Sequence, residues 1–120
     1  MECKPFSVGF RAEHLQTEID KSLYHGAAGH PALPKGEYQL SQHVSGGRCV
    51  YTFCMCPGGE VMCSASELGG VVVNGASRHA RNGRNANAAL LVNVEDRDLR
   101  GDDVLAGVKL QRRMETAAYR

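Results

Sequence analysis

Apolar and polar positions along this chain change period several times, and each change marks a predicted element. Phe6-Ser-Val-Gly-Phe10 alternates large apolar with small residues as a strand does, whereas Ala12 to Tyr24 places Leu15, Ile19 and Leu23 on one helical face. Gly26 is a natural stop for that helix. From Ala27 to Gly36 no apolar period survives, and Pro31 and Pro34 bias their predecessors away from helix, so this stretch reads as loop. Tyr38, Leu40 and Val44 then share one face of a strand, and Cys49, Tyr51, Phe53 and Met55 share one face of the next. Gly46-Gly47 joins them as a turn that tolerates positive φ, which makes this the plainest hairpin in the chain.

Pro57-Gly-Gly59 supplies a further turn, Val61 and Cys63 sit on a short strand, Gly69-Gly70 turns again, and Val71-Val-Val73 reads as a buried strand. A meander is the simplest topology for these pieces. Ala76 to Asn87 is polar and irregular, while Leu90 to Val94 is β-like. Asp102 can cap a last helix that carries Ala106, Leu110, Met114 and Ala117 on one side and presents Arg112 and Arg113. The predicted fold class is therefore α+β, a mainly antiparallel sheet with one packed helix and a C-terminal helix. Burial is worth about 25 cal/mol per Å² of apolar surface, so a terminal helix with a seam of small residues gains little from a small sheet. Its natural partner is expected outside this chain.

Composition narrows the function classes. At 120 residues the chain is one domain, too short for a cofactor domain and a substrate domain together. Its 14 basic and 13 acidic side chains nearly cancel, which argues against nucleic acid or an anionic membrane as partner. No long apolar run and no secretory pattern at Met1-Glu-Cys-Lys4 lead to a soluble, cytoplasmic expectation. Five cysteines (Cys3, Cys49, Cys54, Cys56 and Cys63) fit free thiols in a reducing compartment better than a disulfide frame.

Cys54 and Cys56 are two apart, so a regular strand turns both thiols to one face. With Cys49 and Cys63 they invite a metal set, but the chain has no Cys-x-x-Cys and no His-x-x-x-His, and no metal site is assigned. Two readings of the pair stand: small residues packing a strand end, or redox or active-site thiols. The second is kept open because Cys56 precedes Pro57-Gly58-Gly59, where a backbone without side chains lets a ligand approach closely. Between Leu68 and Val94 there is no acidic residue, yet Arg78, His79, Arg81 and Arg84 crowd one loop. Guanidinium groups beside amides suit a phosphate or carboxylate, and the alternative is a solvated basic loop. Asn85 and Asn87 either fix the turn before the last strand or contact a ligand. Arg11 and Glu13 can pair, His14 can cap the first helix, Glu67 can orient an arginine of the basic loop, and Arg48 and His43 share the hairpin end. There is no Gly-x-Gly-x-x-Gly, no phosphate-binding Gly-Lys-Ser/Thr loop and no Gly-x-Ser-x-Gly elbow. The chain has no dinucleotide cradle of its own in sequence, and a hydrolase is disfavoured.

The ordered string Cys54-Met-Cys-Pro-Gly-Gly59, Ser66-Glu67, Val73-Asn-Gly75, His79-Ala-Arg81 and Asn85-Ala-Asn87 resembles a family of uncharacterised FAD-dependent oxidoreductases. The likeness continues through Lys4-Pro-Phe6, Gly9-Phe-Arg11, Glu13-His14, Gln16 and Leu105-Ala-Gly107, and is looser at Asn82-Gly-Arg84, where the family more often shows acidic character. In that family a similar string lies in a segment set between parts of the FAD-binding domain. The resemblance implies a larger parent that binds FAD, with 1–100 as an α+β insert domain and 101–120 as a helix leading back to the missing FAD domain. It implies that this piece forms one wall of the flavin and substrate cleft and is not catalytic alone. Cys54 and Cys56 become the catalytic candidates, Gly58, Gly59, Asn85 and Asn87 face the cofactor, and Arg78, His79 and Arg81 hold an anionic part of an unidentified small substrate. The isolated chain is expected to hold no cofactor and to self-associate over surfaces that the missing domain covers. The competing class is a non-catalytic binding module whose basic loop grips an anionic ligand or a partner domain.

Overall fold

The computed structural model describes residues 5–65, 67–99 and 103–120. In chain order these form β1 (Ser7–Leu15), α1 (Gln16–Tyr24), β2 (Ser41–His43), β3 (Cys49–Cys56), β4 (Gly59–Cys63), β5 (Val73–Ser77), β6 (Asn85–Asn93) and α2 (Ala106–Tyr119). Short 3₁₀ turns occupy His25–Ala27 and Asp96–Asp98. The α+β class holds: a four-stranded antiparallel sheet in the order β1-β6-β3-β2, a separate β4-β5 hairpin, and two helices. The expected cap at Asp102 lies outside the described residues.

The meander is overturned. β6 inserts between β1 and β3, pairing Ser7↔Asn93 through Leu15↔Asn85 on one side and Val50↔Val92 through Cys56↔Asn87 on the other. That pairing also corrects the first helix. Residues 12–15 extend β1 because β6 offers them a full ladder, and α1 begins only at Gln16. The same insertion draws Asn85, Ala86 and Asn87, expected in an irregular segment, into a central strand. Val71–Val73 is not a buried strand: only Val73 enters β5, and Val72 and Val73 are both exposed. The hairpin turns at Gly46 and Gly47, with φ of 92° and 79° and the Val44 amide donating to the Arg48 carbonyl at 2.8 Å, but its first strand is only Ser41–His43, so the expected strand residues Tyr38, Leu40 and Val44 lie outside it.

Opposed residues of antiparallel strands share a face. Gly9, Arg11 and Glu13 therefore lie on the same side as Leu91, Ala89 and Asn87, the side against which the β4-β5 hairpin and α2 stand. Val8, Phe10, Ala12 and His14 lie on the other side with Val92, Leu90, Ala88 and Ala86. Gly9 is required by the ladder itself, because any Cβ there would strike the Leu90 carbonyl.

Very little apolar surface is hidden. The buried apolar side chains among the described residues are Ala86, Ala88, Ala89 and Val94, with Pro57 beside them, while Phe10 is 67% exposed and α2 buries no residue at all. The chain exposes 8993 Å², where a compact monomer of 13.0 kDa scales to about 6,300 Å². Its radius of gyration is 17.3 Å against roughly 14 Å for a compact domain of this length. No helix among the described residues is long and apolar enough to cross a membrane.

One ion pair fastens the hairpin end to the chain beyond β6. Arg48 donates to both carboxylate oxygens of Asp98, at 2.6 and 2.8 Å. That fork, with the Glu95 amide, holds the Asp98 carboxyl down at about 2. A carboxylate whose folded pKa is depressed stabilises the fold above its unfolded value near 4 and loses that contribution as pH falls toward 2. Acid unfolding followed by circular dichroism should therefore steepen between about pH 4 and 2. The slope in that window should flatten in Arg48→Ala and Asp98→Asn; equal slopes in all three proteins would remove the pair from the account.

Candidate functional site

The end of β3 departs from a regular strand. Register passes from Phe53↔Ala89 directly to Cys56↔Asn87, so Cys54 and Met55 together stand against Ala88 as a bulge, and Cys54 adopts φ of 46°. A non-glycine residue in that left-handed region is uncommon and costs on the order of 1 kcal/mol or more, as happens where a bulge re-aims side chains. The two thiols consequently do not share a face by simple alternation. Cys54 is exposed and lines a cavity of about 480 Å³ with Tyr38, Thr52 and Met55, while Cys56 is half-buried beside Arg11. Tyr38 shares a 2.7 Å hydrogen bond with Nε2 of His14, and burial pushes its phenol above the ordinary value. His14 thus serves the strand face and not a helix cap, and its Nδ1 is buried without a partner among the described residues.

Arg11 crosses from β1 to this bulge. Its NH1 donates to the Cys54 carbonyl at 2.9 Å and to Oδ1 of Asn87 at 2.8 Å. The expected Arg11–Glu13 pair is absent, because Glu13 is engaged elsewhere: one carboxylate oxygen accepts the Asn85 amide at 2.7 Å and the other the Val61 backbone amide at 2.8 Å. Asn85 and Asn87, neighbours on one face of β6, are thereby held by Glu13 and Arg11 respectively. Asn87 is fully buried, yet its Nδ2 has no partner among the described residues. A side chain at Gly75 would collide with both the Asn87 amide and the Arg11 guanidinium, so the β5 backbone closes over this pair.

Behind the bulge lies a polar clamp that the sequence did not single out. Gln16 is 2% exposed and makes three hydrogen bonds: Nε2 donates to Asp20 Oδ1 at 2.9 Å and to the Gly36 carbonyl at 2.8 Å, and Oε1 accepts the Gly58 amide at 2.8 Å. Asp20 in turn accepts the Gly36 amide at 2.7 Å. One side chain at the first position of α1 thus ties the 36-loop to the turn that follows Cys56. The signal was present in Gln16 and Asp20 at i, i+4, which places both on one helix face.

Gly58 and Gly59 are buried in this arrangement. A Cβ at Gly58 would strike the Arg81 carbonyl, and one at Gly59 the Ala76 carbonyl, so these glycines admit the 76–83 loop against the turn. Gly83 donates its amide to the Gly58 carbonyl at 3.2 Å, and Ser77 Oγ donates to the Pro57 carbonyl at 2.8 Å. The space beside these backbones is filled by the chain itself.

The basic loop is a turn closed by the Arg81 amide on the Arg78 carbonyl at 2.9 Å, with Arg81 at φ of 48°. His79 and Arg81 line a cavity of about 440 Å³ together with His30, Lys35, Tyr24 and Asp20; Arg78 does not. Arg81 also reaches Glu37 at 3.4 Å, whereas Glu67 lies 3.9 Å from Arg112 of α2 and does not orient the loop. Among the described residues no cluster of His, Cys, Asp and Glu could hold a metal ion.

Comparison with known proteins adds two findings. A family model described as FAD-dependent protein, C-terminal domain-like, matches residues 5–120. A protein of Clostridium beijerinckii named only as an uncharacterized protein is 44% identical over 121 residues, which covers 100% of this chain. The chain spans 23% of that relative's length.

Gln16→Leu keeps the volume and removes all three hydrogen bonds. It strands the Gly58 amide, the Gly36 carbonyl and part of the Asp20 carboxylate, each at about 1–3 kcal/mol when buried. Urea unfolding should show a loss of about 3 kcal/mol or more; a loss below about 1 kcal/mol would mean that water replaces the clamp.

Proposed function

The chain belongs to the FAD-dependent protein, C-terminal domain-like family, and from that premise we propose that it is one wall of the flavin and substrate cleft of a longer FAD-dependent oxidoreductase, inactive by itself. The observation that carries this reading is the roughly 2,700 Å² by which its surface exceeds that of a compact monomer. An excess of that order matches a permanent interface of about 2,000 Å² or more. Residues 1–100 act as the α+β insert and 101–120 lead back to the FAD-binding part. The relative supports it, since the matched region is a minor share of its length. Without that part the chain self-associates over the same surface. In the whole protein we place it in the cytoplasm.

In this reading the strand end at Cys54 and Cys56 meets the flavin or the substrate, because Cys54 is exposed on a strained bulge beside a cavity. Gly58, Gly59, Asn85 and Asn87 act on the cofactor from behind, by setting the position of that strand end. Arg78, His79 and Arg81 take the anionic part of the substrate. FAD supplies the two-electron chemistry when bound, and this chain supplies shape and charge.

A second reading is favoured by the cavity that His79 and Arg81 share with His30 and Lys35. Four basic side chains around one opening suit an anion-binding module without catalytic duty.

The readings separate in the protein at its full natural length. Cys54→Ser, an exposed position, and Asn87→Ala should each shift the absorbance of the bound flavin and lower turnover by about tenfold or more. The 120-residue chain alone should fail to bind FAD on titration. Flavin spectra and turnover untouched by both substitutions would leave the anion-binding module as the better account.

A further inference from the structure

The structure assigns to Arg11 a ligand that neither the basic loop nor the thiols account for: we infer that the cavity between the sheet and α2 binds a carboxylate with an apolar body, its acid group on the outer edge of the Arg11 guanidinium. As an assignment of substrate class this rests on the cleft-wall reading; as a binding site it is testable without flavin.

Three observations carry it. The first is the guanidinium. Its NH1 is committed to the Cys54 carbonyl and to Oδ1 of Asn87, while Nε and NH2 have no partner among the described residues. The Nε–NH2 edge is a planar fork that matches both oxygens of a carboxylate. Arg11 is half-buried, and no carboxylate among the described residues lies within ion-pair distance of it. Glu13, the nearest in sequence, is occupied by Asn85 and Val61.

The second is the cavity. Arg11 lines a space of about 640 Å³ whose other walls include Val61, Val72, Ala89, Leu91 and Met114. Sites for small organic ligands run to about 300–1,000 Å³ and combine apolar walls with few polar groups. Among the described residues Arg11 is the one cation in this lining, and the one carboxylate, Glu115 on α2, accepts a hydrogen bond from Gln111 at 2.7 Å. A charge at one end of an otherwise apolar space selects an amphipathic anion, unlike the basic, polar opening at His79, which suits a small hydrophilic one.

The third is the cost of holding Arg11 in place. Asn87 gives its carbonyl oxygen to NH1 and keeps a fully buried Nδ2 without a partner among the described residues, a buried donor left unsatisfied at a cost in stability. Gly75 is needed to leave room for both groups. A surface arginine with only a structural duty needs no such support.

Decanoate and decanol, which share an apolar chain and differ in the acid group, test this by calorimetric titration of the protein at its full natural length. Decanoate should bind at least tenfold more tightly than decanol. Arg11→Met should abolish that preference, and Arg11→Lys should restore part of it. Met114→Trp, at an exposed position on the α2 wall, should weaken both ligands tenfold by filling the cavity, and it decides the matter if Arg11→Met does not fold. Equal affinity for the two ligands in the unaltered protein, a preference that survives Arg11→Met, or full affinity in Met114→Trp each overturns the inference. Because heat of carboxylate binding is the readout, these results stand apart from the flavin spectra that test the cleft-wall reading.

Discussion

The pairing of β6 on both of its sides is the interaction on which the rest of the molecule depends. Residues 85–93 reach back to 7–15 and across to 50–56, so the sheet exists only after loops of tens of residues have closed. Closing such loops costs entropy before any contact is gained, and the ladder of β1 and β3 on β6 is what offsets it. Position along β6 also decides chemistry. Alternation puts Ala86 and Ala88 on one face and Asn85, Asn87 and Ala89 on the other, and the small residues let neighbouring elements come close enough for Arg11 and Glu13 to reach the two asparagines.

Much of the fold was legible where local chemistry decides it. The Gly46-Gly47 hairpin follows from two residues that take positive φ without strain, and Leu90 to Val94 declares itself by apolar run. The readings failed where a distant strand decides. Ala12 to Leu15 carries half of a helical period, but an unpaired β6 edge beside it made extension more favourable than a longer helix, and Ile19 and Leu23 alone remain helical. Asn85-Ala-Asn87-Ala88 alternates with period two, a strand signal hidden by polar side chains that are normally read as turn formers. The bulge at Cys54 has no local signature, since it depends on how the end of β3 meets β6, a strand that lies far along the chain.

The candidate site was legible as a set of residues and not as a set of partners. Cys54, Cys56 and Asn87 meet at Arg11 and Asn85 is held by Glu13, although Arg11 and Glu13 looked like a pair with each other. Both point to the same face of β1, two residues apart, and each finds a better-placed group across the sheet than its own neighbour. The glycines illustrate the same point from the other side: Gly58 and Gly59 suggested open backbone, but the 76–83 loop already fills the space that their missing side chains leave.

A chain with so few buried apolar side chains nonetheless has Gln16 and Asn87 among its largest fully buried side chains, with Asp20 also buried. Apolar residues of similar volume would add burial energy at each, and Asn87 even retains an unsatisfied donor among the described residues. What the polar groups supply instead is direction. A hydrogen bond fixes where the Gly58 turn and the Arg11 guanidinium sit, whereas an apolar contact tolerates sliding. Stability of the isolated chain is thus subordinate to the placement of one strand end and one cation. Apolar surface meanwhile remains uncovered on the exposed Phe10 face and along α2, which buries no residue.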